Sequence, residues 1–328
     1  MQLNKNSSYV LLYLLRGAVS AAEVNKHTPE IDIRSIQRAL GRLTELWLVD
    51  RRGPVNNPMY SINYEVLLTA NVPGKLLEDE NRPESRFNHG LIDWLAQTSP
   101  EKLRQTISRS AATPKIKHSK MSAKGLAYLT VELSWKSSAL EGNTYTLLDT
   151  QLLITEGIKA KNRTAFETQM ILNHKNAIGF IVEHPELFTD QITFATVEEL
   201  HKIIGDNLGI AKGVRKKLVR VSASNYVPLA NPHQLRENAN RILGIVGRPT
   251  DPFTKSLLAL SLIPYLQIFE DGNKRTGRML ANAVLISMLG KGFSLRKVSA
   301  RELALAYLAL YEFNSIEPLS KILRAELS

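Results

Sequence analysis

A mainly α-helical protein is what the sequence predicts: an all-helical core carrying one short β-hairpin flap, preceded by a small domain of three helices and a second hairpin. Three observations predict it. Near the N-terminus, Ile36, Leu40, Leu43 and Leu46 follow at spacings of four, three and three, the mark of one buried helix face. From about Lys136 onward, one helical segment follows another. The exception is VRKKLVRVSASNYVPL (Val214–Leu229), which is β-branched, basic and ends near a proline, and so reads as a short hairpin.

Taken in order, SSYVLLYLLRG (Ser7–Gly17) reads as a helix with serine at its start and glycine past its end. SAAEVNKHT is a short second helix. In PEIDIRSIQRALGRLTELWLVDRRG, Asp32 is a plausible N-cap for the third. Arg34, Arg38 and Arg42 lie four apart and share a face distinct from the apolar one. LWLVDRR, GPVNNP and MYSIN then read as a hairpin with a turn-rich tip. Three helices and a hairpin in this order resemble a winged helix-turn-helix domain, expected over residues 1–70. The resemblance implies DNA as a partner, with Arg34, Gln37, Arg38 and Arg42 reaching bases or phosphates and Arg51 and Arg52 touching backbone from the wing. The competing reading is a protein-interaction version of the fold with a solvated basic helix. Residues 1–62 hold eight Lys/Arg against five Asp/Glu, a net of +3, which is modest for a DNA reader.

VPGKLLEDENRPESRFNHG (Val72–Gly90) is polar and punctuated by proline and glycine, so residues 71–135 are expected to be linker and helical connector. LIDWLAQTSPEKLRQTI within them looks helical, and AATPKIKHSKMSAKG looks like a basic loop. The main core is expected over 136–295 and further helices over 296–328.

The stretch QIFEDGNKRTGR (Gln267–Arg278) carries the chemistry. An apolar helical segment with Pro264 near its end precedes it, and RMLANAVLISMLG follows with helical composition. The stretch is therefore a turn feeding a helix N-terminus, where unpaired N–H groups and the helix dipole both favour an anion. Gly272 permits close approach of phosphate. Lys274, Arg275 and Arg278 supply charge suited to a polyphosphate. Asp271 is a hard oxygen ligand of the kind that holds Mg²⁺ carried on nucleotide phosphates. Asn273 can hydrogen-bond ligand and loop, and Phe269 pegs the turn to the core. A charged helix-capping loop is the bland alternative, but a glycine, a carboxylate and three cations are more than a turn needs.

These residues resemble the Fic family, whose motif is His-x-Phe-x-Asp/Glu-Gly-Asn-x-Arg-x-x-Arg. Phe269, Asp271, Gly272, Asn273, Arg275 and Arg278 match it, and the likeness covers roughly Lys136 to Gly292. Family members commonly transfer AMP from ATP to a protein hydroxyl. The resemblance implies ATP and Mg²⁺ as cofactors, with Asp271 on the metal. It puts Asn273, Lys274, Arg275 and loop amides on the α- and β-phosphates, Gly277 in the same nucleotide site, and Arg278 on the γ-phosphate. Residues 214–229 resemble the flap on which a target protein docks as an added strand. SSALEGN matches the family's inhibitory pattern at Ser137, Glu141 and Gly142. Ser137 and Glu141 are four apart and so are expected on one helix face, with Glu141 pairing with Arg278.

One position departs. The family's catalytic histidine would stand at 267, where this chain has Gln267. An amide can orient a hydroxyl but cannot take its proton near neutral pH. Two origins fit the glutamine, a natural loss or an engineered replacement. The seven histidines (His27, His89, His118, His174, His184, His201 and His233) lie outside the motif and are expected at the surface or as caps, with His233 nearest the flap in sequence. A structural scaffold with the basic flap as a protein-binding edge is disfavoured by the charge density kept at the motif, and two functions compete. One is an auto-inhibited adenylyltransferase impaired by Gln267. The other is a DNA-binding transcriptional regulator whose catalytically silent Fic-like domain senses nucleotide.

Composition sets the outer limits. With 44% hydrophobic and 22% charged residues, the chain is an ordinary globular one. It has no cysteine, which excludes thiolate metal sites and cysteine nucleophiles and is compatible with the cytoplasmic location expected. A formal charge of +11 favours polyanionic partners. No apolar run approaches a membrane span, so no membrane partner is expected. A homodimer is an arrangement the sequence leaves open.

Overall fold

The computed structural model describes residues 3–114 and 118–328. The chain opens with α1 (Lys5–Leu15), α2 (Ala21–His27) and α3 (Ile33–Glu45), then an antiparallel hairpin of β1 (Val49–Arg52) and β2 (Met59–Ile62) in which Val49 faces Ile62. Helix α1 starts at Lys5 rather than Ser7, because Asn4 supplies the cap and accepts the N–H of Ser7. Asp32 caps α3 as expected, bonding both the N–H and the hydroxyl of Ser35. Ile36, Leu40 and Leu43 are buried, whereas Arg34, Gln37, Arg38, Arg42, Arg51 and Arg52 are exposed.

The stretch expected as a linker is packed. Two single-turn helices, α4 (Tyr64–Leu67) and α5 (Gly74–Leu77), bury Leu67 and Leu77 in the N-terminal core. Arg82 forms a buried ion pair with Glu312. Strand β3 (Ser85–Arg86) follows, then α6 (His89–Gln97) and α7 (Pro100–Ile107). Residues 115–117 of the expected basic loop lie outside the described residues. Helix α8 (Ala123–Ala139) begins well before Lys136, the boundary expected for the core.

Helices α9 (Leu147–Glu156), α10 (Ala165–Glu183) and α11 (Phe194–Gly205) continue the helical core. The hairpin expected over Val214–Leu229 is absent. Only β4 (Tyr226–Val227) is a strand, and it pairs parallel with β3. The cause is Arg215. Its guanidinium, 2% exposed as a whole residue, donates to the carbonyls of Gln267, Lys217 and Leu229. The segment is thereby drawn across the motif loop instead of folding back on itself.

After α12 (Pro232–Gly247) come α13 (Pro252–Leu266) and α14 (Asn273–Leu289), the centre of the larger core. Every residue of α13 from Phe253 to Leu266 is buried, as in a helix surrounded by protein on all sides. The two helices meet closely at Gly277, where a Cβ would stand 2.7 Å from Pro264 Cδ. This contact fixes the ends that carry the motif. Last come α15 (Ala300–Phe313) and α16 (Glu317–Leu327). Leu308, Ala309 and Phe313 of α15 close the N-terminal core, while its Tyr307 and Tyr311 are buried in the larger one. Among the described residues, no helix is long and apolar enough to cross a membrane.

Candidate active site

Helix α13 ends at Gln267 in the left-handed conformation, φ 52° and ψ 51°, and α14 starts after Gly272 at φ 80°. The loop between them is held from below. Phe269 is fully buried and stacked on the His201 ring, 3.7 Å between centroids and 7° from parallel. Asn273 binds the loop from the helix side. Its Oδ1 accepts from the N–H of Phe269, and its amide donates to the Phe269 carbonyl and to Gln267 Oε1 at 3.2 Å. Both amide hydrogens are thus committed. The Asn273 side chain therefore shapes the loop, and the donor it can offer a ligand is its backbone N–H at the uncapped start of α14.

Gly277 is likewise a packing residue, since its Cα faces the Pro264 ring within the core. The cations are placed differently. Arg275, 3% exposed, reaches Asp271 Oδ2 at 2.9 Å with one nitrogen, and its Nη1 is buried without a partner among the described residues. Burial pushes the Arg275 pKa down, with Asp271 and Glu141 acting the other way. Arg278 is fully buried. Its Nε donates to Ser137 Oγ at 2.9 Å, and its Nη2 donates to the Ser137 carbonyl at 3.1 Å and to Glu141 Oε1 at 2.6 Å. Its Nη1 also lacks a partner among the described residues. Two buried, unpartnered guanidinium donors stand beside a helix start that no side chain caps. That arrangement suits an anion with several oxygens.

Glu141 lies beyond the end of its helix, because α8 stops at Ala139 and the chain turns through Gly142 at φ 91°. The shared helix face expected for Ser137 and Glu141 is therefore a shared target: both meet Arg278. Burial works against the Glu141 carboxylate. The charge and hydrogen bond of Arg278, with Lys274 and Arg275 behind them, outweigh that and hold its pKa below the ordinary value. Glu141, Val219 to Ser222, Gln267 and Glu270 to Arg275 line a cavity of about 220 Å³. Small-molecule sites span roughly 300–1,000 Å³, so the cavity with Glu141 in it is tight for a nucleoside triphosphate.

Gln267 lines this cavity with both amide hydrogens committed and one lone pair of Oε1 left to accept. Its Nε2 donates to the Pro264 carbonyl at 2.8 Å and to the Tyr311 hydroxyl at 3.2 Å, and its Oε1 accepts from Asn273. His233 is an exposed residue at the start of α12 and is not among the residues that line the cavity. Two histidines expected at the surface are instead buried. His201 lies under Phe269 with Nε2 3.0 Å from the Asp271 carbonyl, and burial lowers its pKa. His174 contacts Ser137 Oγ at 2.8 Å, and burial brings its pKa to about 3. The sequence held a signal for both. Met170, Ile171, Ala177 and Ile178 surround His174 at helical spacing, as Val197 and Ile204 do His201, and all are buried.

The fold is mainly helical, with the motif loop leading into an uncapped helix start, and the comparisons with known proteins place it beside Fic folds. Residues 191–285 match the Fic/DOC family model. The chain is 26% identical over 156 residues to "Protein adenylyltransferase Fic" of Nematostella vectensis, covering 46% of this chain and 36% of that protein. It is 24% identical over 158 residues to "Protein adenylyltransferase fic-1" of Caenorhabditis elegans, covering 45% and 30%. The matches thus span about a third of the length of these relatives. Among solved structures, a fragment of C. elegans Fic-1 aligns at TM-score 0.50 and 15% identity, over 99% of this chain and 97% of that one. A Fic-domain signalling protein from Bacteroides thetaiotaomicron aligns at TM-score 0.50 and 19% identity, over 72% and 93%.

Proposed function

We propose that this protein binds ATP at the α13–α14 loop and belongs, by chemistry, with enzymes that transfer AMP to a protein hydroxyl. Its site is held closed by Glu141 and deprived of a general base by Gln267. The observation that carries this reading is the 2.6 Å contact between Glu141 and the fully buried Arg278. A carboxylate occupies the place where a phosphate oxygen would otherwise meet that guanidinium.

The amides opening α14, with Lys274 and the free Nη1 of Arg275, would hold the α- and β-phosphates. Arg278 would hold the γ-phosphate once Glu141 withdraws. Asp271, its side chain 68% exposed, would hold a Mg²⁺. One carboxylate fits an ion carried mostly by phosphate oxygens. The bound ion would neutralise phosphate charge. Residues 219–222 line the cavity, and the segment 214–229 to which they belong would receive the target segment by its backbone. Gln267 can hydrogen-bond the incoming hydroxyl but cannot remove its proton, so transfer is slower than with histidine by about 10²–10⁴.

The test is transfer of label from α-³²P-ATP in the Glu141→Gly protein, with Gln267 and with Gln267→His. Transfer in both, stronger with histidine by the factor above, is expected. Tight ATP binding with no transfer in either would defeat the adenylyltransferase reading.

A second reading, a DNA-binding regulator with a nucleotide-sensing core, draws support from the exposure of Arg34, Gln37, Arg38 and Arg42 along one face of α3 and of Arg51 and Arg52 on the hairpin. It predicts duplex binding that falls steeply with salt and changes when ATP is added. Salt-independent or absent binding would remove it.

A further inference from the structure

Arg278 is held by Ser137 as well as by Glu141, and a hydroxyl can face a guanidinium only if its own hydrogen points elsewhere. His174 decides that direction. Its Nδ1 lies 2.7 Å from the Met170 carbonyl, which can only accept, so Nδ1 carries the ring hydrogen. Ser138 Oγ is a further, longer neighbour of the same nitrogen at 3.3 Å. With Nδ1 protonated and the imidazole kept neutral, Nε2 is bare and must accept. Its partner at 2.8 Å is the Ser137 hydroxyl. Ser137 therefore donates to His174, and its lone pairs are left turned to Arg278 Nε at 2.9 Å. One backbone carbonyl on α10 thus fixes every hydrogen along the row Met170, His174, Ser137, Arg278.

We infer that His174 is a positioning residue of the closed state, which orients the Ser137 hydroxyl as an acceptor and so holds Arg278 away from nucleotide. Neutrality of the ring is secured by its full burial and by Arg275 and Arg278 nearby, which disfavour an imidazolium. Loss of His174 leaves the Ser137 hydroxyl free to rotate, and among the described residues Arg278 then keeps Glu141 as its one directed side-chain acceptor. This inference rests on the closed-site reading given above.

The experiment is calorimetric titration of the full chain with Mg·ATP and, separately, Mg·ADP, which lacks the phosphate assigned to Arg278. His174→Phe should tighten ATP about tenfold, the weight of roughly one hydrogen bond from a charged donor, and leave ADP unchanged. His174→Gln can still donate to Met170 and accept from Ser137, so it should restore the wild-type ATP value. In a Ser137→Ala background, His174→Phe should add nothing further. If His174→Phe does not fold, His174→Asn, too short to reach Ser137, takes its place with the same expectations.

Equal changes for ATP and ADP, or an undiminished effect without the Ser137 hydroxyl, would mean that His174 acts by packing and would overturn the inference. Glu141→Gly, run alongside, separates the two levels. If it favours ATP over ADP while His174→Phe does not, only the role of His174 fails. If neither variant favours ATP, the closed-site reading fails with it.

Discussion

Replacing Glu141 by glutamine keeps the shape of the side chain and removes its charge, and the structure sets the size of the effect. Arg278 is fully buried, while the Glu141 side chain is 26% exposed. Breaking a wholly buried ion pair by removing one partner costs about 3–5 kcal/mol, whereas an exposed pair contributes about 0–1. A hydrogen bond to a charged group contributes about 1.5–3 kcal/mol, and roughly half of that survives when the acceptor becomes neutral. The expected loss is therefore about 1–2 kcal/mol. It has opposite consequences for two measurements. The ligand-free protein should melt a few degrees lower, because Arg278 loses part of its compensation. ATP should bind about 5- to 30-fold tighter, because less work is needed to free that arginine. ADP should bind as before. Differential scanning fluorimetry and calorimetry read both quantities on one sample. A lower melting point with unchanged ATP affinity would refute the argument, since the pair would then be structural alone.

Three further outcomes follow, one from the packing of the core and two from titrating groups. Gly277→Ala would put a methyl 2.7 and 2.8 Å from the Pro264 ring carbons, which cannot swing aside, so it should destabilise by about 1–3 kcal/mol in a urea titration; a neutral result would mean that α13 and α14 can separate freely. His174, brought from its ordinary 6.5 to about 3, stays neutral in the fold while the unfolded chain takes up a proton. Stability should therefore fall as pH drops from about 6.5 toward 3, by up to about 1.4 kcal/mol per pH unit, with His201 adding in the same direction. Glu167, held to about 2 by the Thr144 and Thr164 hydroxyls and amides, contributes stability above its ordinary 4.5 that is lost as pH falls toward 2. Urea midpoints against pH should lose slope between 6.5 and 4.5 in His174→Gln and below 4.5 in Glu167→Gln; unchanged slopes would contradict both assignments.

What the sequence made legible was what local pattern encodes. The face of α3, the Asp32 cap, the turn at Gly272 and the burial of Phe269 all follow from spacing and residue type. What it hid depends on partners far along the chain. The run from Val214 has the composition of a hairpin, yet its one strand pairs with Ser85 and Arg86, some 140 residues earlier, and Arg215 bonds the backbone of the motif loop. Glu312 accepts from Arg82, Ser224 and the N–H of Asn225, joining three segments that no window of sequence brings together. Asn273 was legible as a motif position but not in its task, because a motif records which residue is needed without saying whether ligand, loop or neighbouring helix needs it; Gly277, at an undefined position of the motif, is expected in the nucleotide site and instead packs on Pro264.

Gln267 illustrates the same point from the side of strain. Its φ of 52° lies where residues with a side chain are uncommon. The conformation is held from outside. Arg215 grips the Gln267 carbonyl, and the amide is fixed at both ends by Pro264, Tyr311 and Asn273. Only the surrounding structure can over-determine a residue in this way. The chain therefore keeps a costly backbone geometry at the one position where the side chain cannot serve as a base. That geometry also delimits the phosphate loop, because it ends α13 and starts the turn that leads to Gly272. A Gln267→Gly variant, free of the strain, separates the two tasks. If the conformation matters for the loop alone, this variant should bind ATP as the parent does and be no less stable. If the amide network is what holds the loop, ATP binding should weaken together with the thermal midpoint.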